Sequence, residues 1–234
     1  MRRLPEILDF AGGASIPVNY LTAWLMLVRL GNVRAGERVL VHACAGGVGL
    51  AAVQICRHFG AEVIGTASVG KHDRLRDMGV AECIDYRTQD FEAVVNDLTG
   101  GKGVDIVLDA VGGESFAKSY RCLDSLGRLF VFGASSLAPG TKRRLGTALL
   151  GLLRMPKFKP LSLMNFNRGV FGINVGHLWN RGEEMTAMLG EILDLFADGT
   201  FKPVVDRTFP FTEAAAAHSY IQDRKNFGKV VLTP

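Results

Sequence analysis

The chain has 234 residues, 48% apolar and 21% charged, with a formal net charge of +4. That balance suits a soluble globular protein with a sizeable core. Lysines and arginines are interspersed with acids except at Lys142, Arg143 and Arg144, so the charge fits an anionic cofactor and not a nucleic acid, which requires a basic stripe or a binding motif.

The longest apolar runs fall short of the roughly 20 residues that a membrane-spanning helix needs. Pro5, Glu6 and Asp9 interrupt any leader-like run at the start, so no signal peptide is expected. Cys44, Cys56, Cys83 and Cys122 form no C-x-x-C pair, which predicts reduced thiols and a cytoplasmic setting.

In chain order, residues 1–14 have no clear partner of their own, and residues 16–30 read as a helix opened by Pro17. A strand at 39–42, a helix at 48–59 and a strand at 62–65 make a βαβ unit. Further strands are expected at 83–85, 105–109, 128–132 and 170–175, each separated by a stretch able to form a helix. Such alternation predicts an α/β fold with a doubly wound parallel sheet covered on both faces. After a helix near 183–196, two apolar strands at 204–209 and 229–232 flank an alanine-rich helix at 212–221. These look like a different layer, with Phe201 as the candidate boundary.

The stretch HACAGGVG runs from the first strand straight into a helix, the setting in which a glycine pattern signals a dinucleotide turn. Gly46 and Gly49 let a backbone approach a pyrophosphate and let the helix pack close to the strand. The N–H groups around Gly46, Gly47 and Val48 then face the anion. Cys44 stands where the first glycine of G-x-G-x-x-G would lie, and a plain strand-to-helix turn is the alternative. An acid closing the second strand would hold the ribose hydroxyl of NAD. That strand instead ends Gly65, Thr66, Ala67, Ser68, with Lys71 close behind. Ser68 and Lys71 can donate hydrogen bonds to a 2′-phosphate, so NADPH is the expected cofactor.

The segments IPVNYLTAW, VRAGERVLVHACAGGVGLAAVQ, GTASVGKHDRLRDMGV, IDYRTQDF, GVDIVLDAVGG and KNFGKVVLTP resemble the quinone oxidoreductase branch of the medium-chain dehydrogenase/reductase superfamily. Within it, they are most similar to the synaptic vesicle membrane protein group. The resemblance implies a Rossmann domain and NADPH-dependent reduction of quinones or conjugated carbonyl compounds. It also implies that Tyr86 joins Ser68 and Lys71 around the 2′-phosphate. Asn19 and Thr22 would lie near the nicotinamide, Gly133 and Phe171 to Ile173 would line its ribose, and Asn226 would close the phosphate end. Asn19 and Thr22 can equally serve as capping and packing residues of their own helix.

Members of that family begin with a GroES-like catalytic domain of about a hundred residues or more, and this chain starts where that domain ends. The resemblance therefore implies a division into a remnant at 1–15, an NADP-binding domain at 16–200 and a tail at 201–234 that returns to the other domain. It further implies a homodimer joined through the strand at 170–175, whose edge is apolar and unpaired.

No zinc is expected, because the cysteines and His42, His58, His72, His177 and His218 are dispersed without ligand spacing. No tyrosine has a lysine four residues later, which argues against a short-chain reductase mechanism. The competing reading is a non-catalytic NADPH-binding or membrane-associated module. It rests on residues 141–159, where Lys142, Arg143, Arg144, Arg154, Lys157 and Lys159 bracket an apolar run, as in an interfacial helix. A substrate-side helix packed on the sheet is preferred.

Overall fold

A computed structural model of the protein describes residues 3–135 and 155–234. At its centre lies β1 (Arg38–Val41), flanked by β2 (Glu62–Ala67) and β4 (Val104–Asp109). With β3 (Glu82–Asp85), β5 (Leu123–Val131) and β6 (Gly169–Gly172) they form a six-stranded sheet in the order β3-β2-β1-β4-β5-β6, in which every pairing is parallel. This is the doubly wound Rossmann order, with its switch point between β1 and β4.

The strands are near-continuous apolar runs because both faces are buried. Val39 and Val41 point to one face with Ile106, Leu108 and Phe130, while Leu40 points to the other with Ile64, Val107 and Leu129. The first face is covered by α2 (Pro17–Trp24), α3 (Gly47–His58) and α8 (Gly182–Ala197). Helix α2 runs on into a wider π-helical turn, Leu25–Leu30. The second face takes Val95 of α5 (Phe91–Thr99), with α6 (Glu114–Arg121) ending at buried Cys122. Between β2 and β3 lies the short α4 (His72–Asp77), and α7 (Pro160–Phe166) precedes β6.

The edge strand is shorter than its sequence suggests. The Ile173 N–H still donates to the Val131 carbonyl at 2.9 Å, but the Asn174 side chain then accepts from the Gly176 N–H and caps a 3-10 turn over Val175–His177. This local side-chain bond competes with the ladder and ends the strand.

The two tail strands form a sheet of their own. β7 (Val205–Pro210) and β8 (Lys229–Thr233) pair in parallel, joined by α9 (Ala214–Gln222). The N-terminal segment, without a partner by sequence, supplies α1 (Phe10–Ser15), which packs against both tail strands. Asp9 caps this helix by accepting from the Gly12 N–H. Phe201, the candidate boundary, is a core residue, 2% exposed, whose ring meets those of Tyr20, Trp24 and Phe196. It ties α2, α8 and the approach to the tail together.

Phe201→Ala should therefore lower the unfolding free energy by about 3–5 kcal/mol, the range for deleting a buried aromatic ring. Denaturant titration should show the midpoint falling with little change in slope.

Candidate functional site

Above the carboxyl ends of β1, β2 and β4 opens a groove of about 840 Å³, where ligands bind on open α/β sheets. Its floor is the turn from β1 into α3. Ala43 adopts a left-handed backbone with φ of 50°, an uncommon state for a residue with a side chain. Gly46 caps α3 without any side-chain hydrogen bond. The first-turn N–H groups of that helix, which have no intrahelical acceptors, are thus a seat for an anion. The glycines are required by close approach. A Cβ on Gly47 would lie 2.6 Å from Asn19 Nδ2, one on Gly49 would lie 2.4 Å from the Cys44 carbonyl oxygen, and one on Gly65 would lie 2.8 Å from Cys44 Sγ. Cys44 itself is fully buried, so it occupies the first glycine's place by turning its side chain into the core.

A buried chain of hydrogen bonds fixes this turn from below. Asp109, at the end of β4, accepts from the Val111 N–H and from the Ser115 and Ser119 hydroxyls, each at 2.7 Å. Since Ser119 spends its proton on Asp109, its oxygen accepts from His42 Nε2 at 3.0 Å. His42 Nδ1 then accepts from the Thr66 hydroxyl at 3.2 Å, and the Thr66 oxygen accepts from the Ala43 N–H at 3.3 Å. Burial holds the His42 imidazole below its usual pKa, against the pull of the Asp109 carboxylate. The imidazole is therefore neutral, in the tautomer that passes this chain along.

At the far end of the groove Ser68, Lys71, Tyr86 and Asn226 come together with Arg87 and Arg224. Arg224 Nη1 lies 3.3 Å from the Tyr86 hydroxyl, with its guanidinium over the Tyr86 ring. Partial burial opposes ionisation of Tyr86, but the hydrogen bonds and charge of Arg224 and Arg87 outweigh it and lower its pKa. Lys71, expected at a 2′-phosphate, lines the groove and donates to the backbone carbonyls of Arg224 at 2.8 Å and Asn226 at 2.6 Å.

The structure thus gathers Gly46, Ser68, Lys71, Tyr86 and Asn226 on one groove. Asn19 abuts Gly47 but spends its Nδ2 on the Ser15 carbonyl, and the Thr22 hydroxyl donates to the Val18 carbonyl. The first bond ties α2 back to the last residue of α1, and the second lies within α2. Val48 follows Gly47 in the first turn of α3. Gly133 lies just beyond β5, where a Cβ would press on Ala110, and Phe171 stacks on Phe130 with Ile173 packed on the same core. These residues stand at the β5–β6 side, away from the groove's lining. Of the basic segment weighed as membrane-associated, residues 141–154 lie outside the described residues.

Sequence reasoning missed Arg87, Arg224, His42 and Thr66 in the groove. Arg87 adjoins Tyr86 and Arg224 lies two residues before Asn226, so proximity to named positions was the available signal. His42 opens the HACAGGVG stretch and Thr66 lies two residues before Ser68, so the same signal applied to them.

Among the described residues, no group of three or more His, Cys, Asp or Glu side chains is arranged to hold a metal ion, and no helix is long and apolar enough to cross a membrane. Residues 78–232 match the family model described as zinc-binding dehydrogenase. The human synaptic vesicle membrane protein VAT-1 homolog is 39% identical over 232 residues, which is 99% of this chain and 59% of that protein. The chain thus spans just under three fifths of that relative's length.

The mycobacterial protein Rv1454c complexed with NADPH superposes with a TM-score of 0.84 at 31% identity, over 99% of this chain and 67% of that one. An NAD-dependent alcohol dehydrogenase gives a TM-score of 0.79 at 32% identity, over 100% and 61%. A quinone oxidoreductase from Pseudomonas syringae gives 0.81 at 28% identity, over 100% and 67%. On this fold, groove and likeness, the chain belongs to the medium-chain dehydrogenase/reductase superfamily of oxidoreductases, in the VAT-1 group, as a portion that carries the cofactor-binding fold.

Proposed function

We propose that the chain binds NADPH and serves zinc-independent hydride transfer to a quinone or a conjugated carbonyl compound. The observation that carries this reading is the far end of the groove, where Lys71, Arg87 and Arg224 surround Ser68 and Tyr86 and the strand β2 closes on Ala67 without an acid. A 2′-phosphate matches that charge, whereas the hydroxyl of NAD would leave it unanswered. The glycine turn fits a pyrophosphate, because Cβ atoms there would strike backbone and Asn19.

When bound, the reduced nicotinamide supplies a hydride from its C4. The chain's own residues bind and orient. The N-terminus of α3 holds the pyrophosphate, and Ser68, Lys71, Tyr86 and Asn226 hold the adenosine end. The family likeness supports assigning Asn19, Thr22, Gly133, Phe171 and Ile173, which lie outside the groove's described lining, to the nicotinamide end. Assembly as a homodimer in the cytoplasm belongs to the same proposal. It is supported by β6 being the edge strand among the described residues and by exposed Leu126, Leu161, Met164 and Phe166, which suit a covered interface.

NADPH should bind more tightly than NADH, and Lys71→Ala should remove most of the difference, roughly 10- to 100-fold for charge-assisted bonds. Titration with both cofactors decides it, and equal affinities would overturn the reading. Light scattering at micromolar concentration should give twice the chain mass, with a monomer counting against the dimer. These 234 residues, which span 59% of the human VAT-1 homolog, should reduce quinones far more slowly than a relative of that full length, since fixing a substrate in a near-attack pose accounts for up to roughly 7–11 kcal/mol of a barrier. Undiminished steady-state turnover would show a different active site.

A further inference from the structure

We propose that Lys71 couples occupancy of the 2′-phosphate end of the groove to docking of the tail. A 2′-phosphorylated dinucleotide then tightens the unit formed by β7, α9 and β8, and one without that phosphate does not. This rests on the NADPH reading above and goes beyond it.

An ammonium group has three donors. Lys71 spends two on the carbonyls of Arg224 and Asn226 and lines the groove with the third available. The segment that carries those carbonyls has little freedom. Arg224 is held in the left-handed region at φ of 57°, and Asn226 Nδ2 donates to the Gly228 carbonyl at 2.9 Å. Gly228 bridges to Gly46 of the phosphate turn and donates to the Ala45 carbonyl at 2.9 Å. Its φ is 97°, and a Cβ there would lie 2.4 Å from the Val204 carbonyl oxygen. Residues 224–228 are therefore a strap that touches both ends of the groove before it becomes β8.

The helix that follows Lys71 holds the same unit. The guanidinium of Arg74 lies 3.8 Å over the Phe227 ring and 4.0 Å from Asp206 on β7.

A phosphate dianion beside Lys71 would take the ammonium's remaining donor and fix the group that already holds the two strap carbonyls. Phosphate and strap thus want the same ammonium in the same place. Linkage makes the effect reciprocal: whatever the 2′-phosphate adds to tail docking, tail docking adds to the affinity for that phosphate.

Hydrogen exchange of the 234-residue chain tests this, with NADPH and NADH each set to equal occupancy from its own dissociation constant. Amides of residues 204–209 and 224–233 should exchange about fivefold or more slowly with NADPH than with NADH, the lower end of typical coupling between sites. Lys71→Met keeps the side chain's length without its donors and should abolish the difference. Adenosine 2′,5′-bisphosphate against 5′-AMP should reproduce it without a nicotinamide. Equal protection, faster exchange with NADPH, or a difference that survives in Lys71→Met would overturn the coupling. NADPH preference with equal tail protection sinks the coupling alone, whereas equal affinity for the two cofactors sinks the specificity reading and the coupling with it.

Discussion

A carboxylate buried among neutral donors sits beneath the groove, and the rest of the site is arranged around keeping it satisfied. Asp109 is fully buried, and burying a charge without hydrogen bonds costs far more than a domain can spare. Its oxygens are met by the N–H groups of Val111 and Gly112 and by the hydroxyls of Ser115 and Ser119. Those donors come from the turn after β4 and from α6, so the carboxylate fixes how α6 leaves the sheet. Through Ser119, His42 and Thr66 the same requirement reaches β1 and β2 and ends on the N–H of Ala43. Because each member gives its proton in only one direction, the arrangement has a single consistent pattern. The strained first residue of the phosphate turn is thereby held by the strand ends on either side of it.

The groove inherits its chemistry from where the parallel strands end. Side-by-side registers such as Val41 with Gly65 and Val41 with Leu108 bring the carboxyl ends of β1, β2 and β4 level. The turns that follow them therefore share one rim. One end of that rim offers helix N–H groups and the other offers a cluster of cations. Gly65 belongs to the same logic, since a side chain there would press on Cys44 and push the two strand ends apart.

The chain's two termini are also joined by packing. Helix α1 lies on β7 and β8, and Phe201 packs, tilted or edge-on, into the aromatic group built on Tyr20, Trp24 and Phe196. Tyr20 and Gln54 add a polar tie, because Gln54 Nε2 donates to the Tyr20 oxygen and its Oε1 accepts from the Lys202 N–H. The tail is thus seated on the Rossmann layer by a dry aromatic contact on one side and by the strap over the groove on the other.

Strand and helix alternation, the glycine turn and the missing acid after β2 were legible in the sequence because each depends on local rules. Apolar runs, strand-to-helix spacing and the backbone demands of Gly46, Gly47 and Gly49 act within a few residues. From these followed the fold class, the place of the phosphate turn and the residues Ser68 and Lys71 at one end of the groove, while Tyr86 came from the family resemblance. Contacts between distant segments carried no such mark. Nothing near His42 in the sequence announces Asp109 or Ser119, and nothing near Lys71 announces the carbonyls of Arg224 and Asn226. Those partners lie 153 and 155 residues away, and only the folded chain brings them within hydrogen-bonding distance. The end of β6 was misjudged for a similar reason, since the apolar pattern runs on through Val175 while the Asn174 side chain bonds to the Gly176 N–H and stops the ladder. Periodicity and turn chemistry settle what each segment is. Which polar groups meet, and in which direction their protons point, is settled by burial in three dimensions, where an unmet donor or acceptor has no water to turn to.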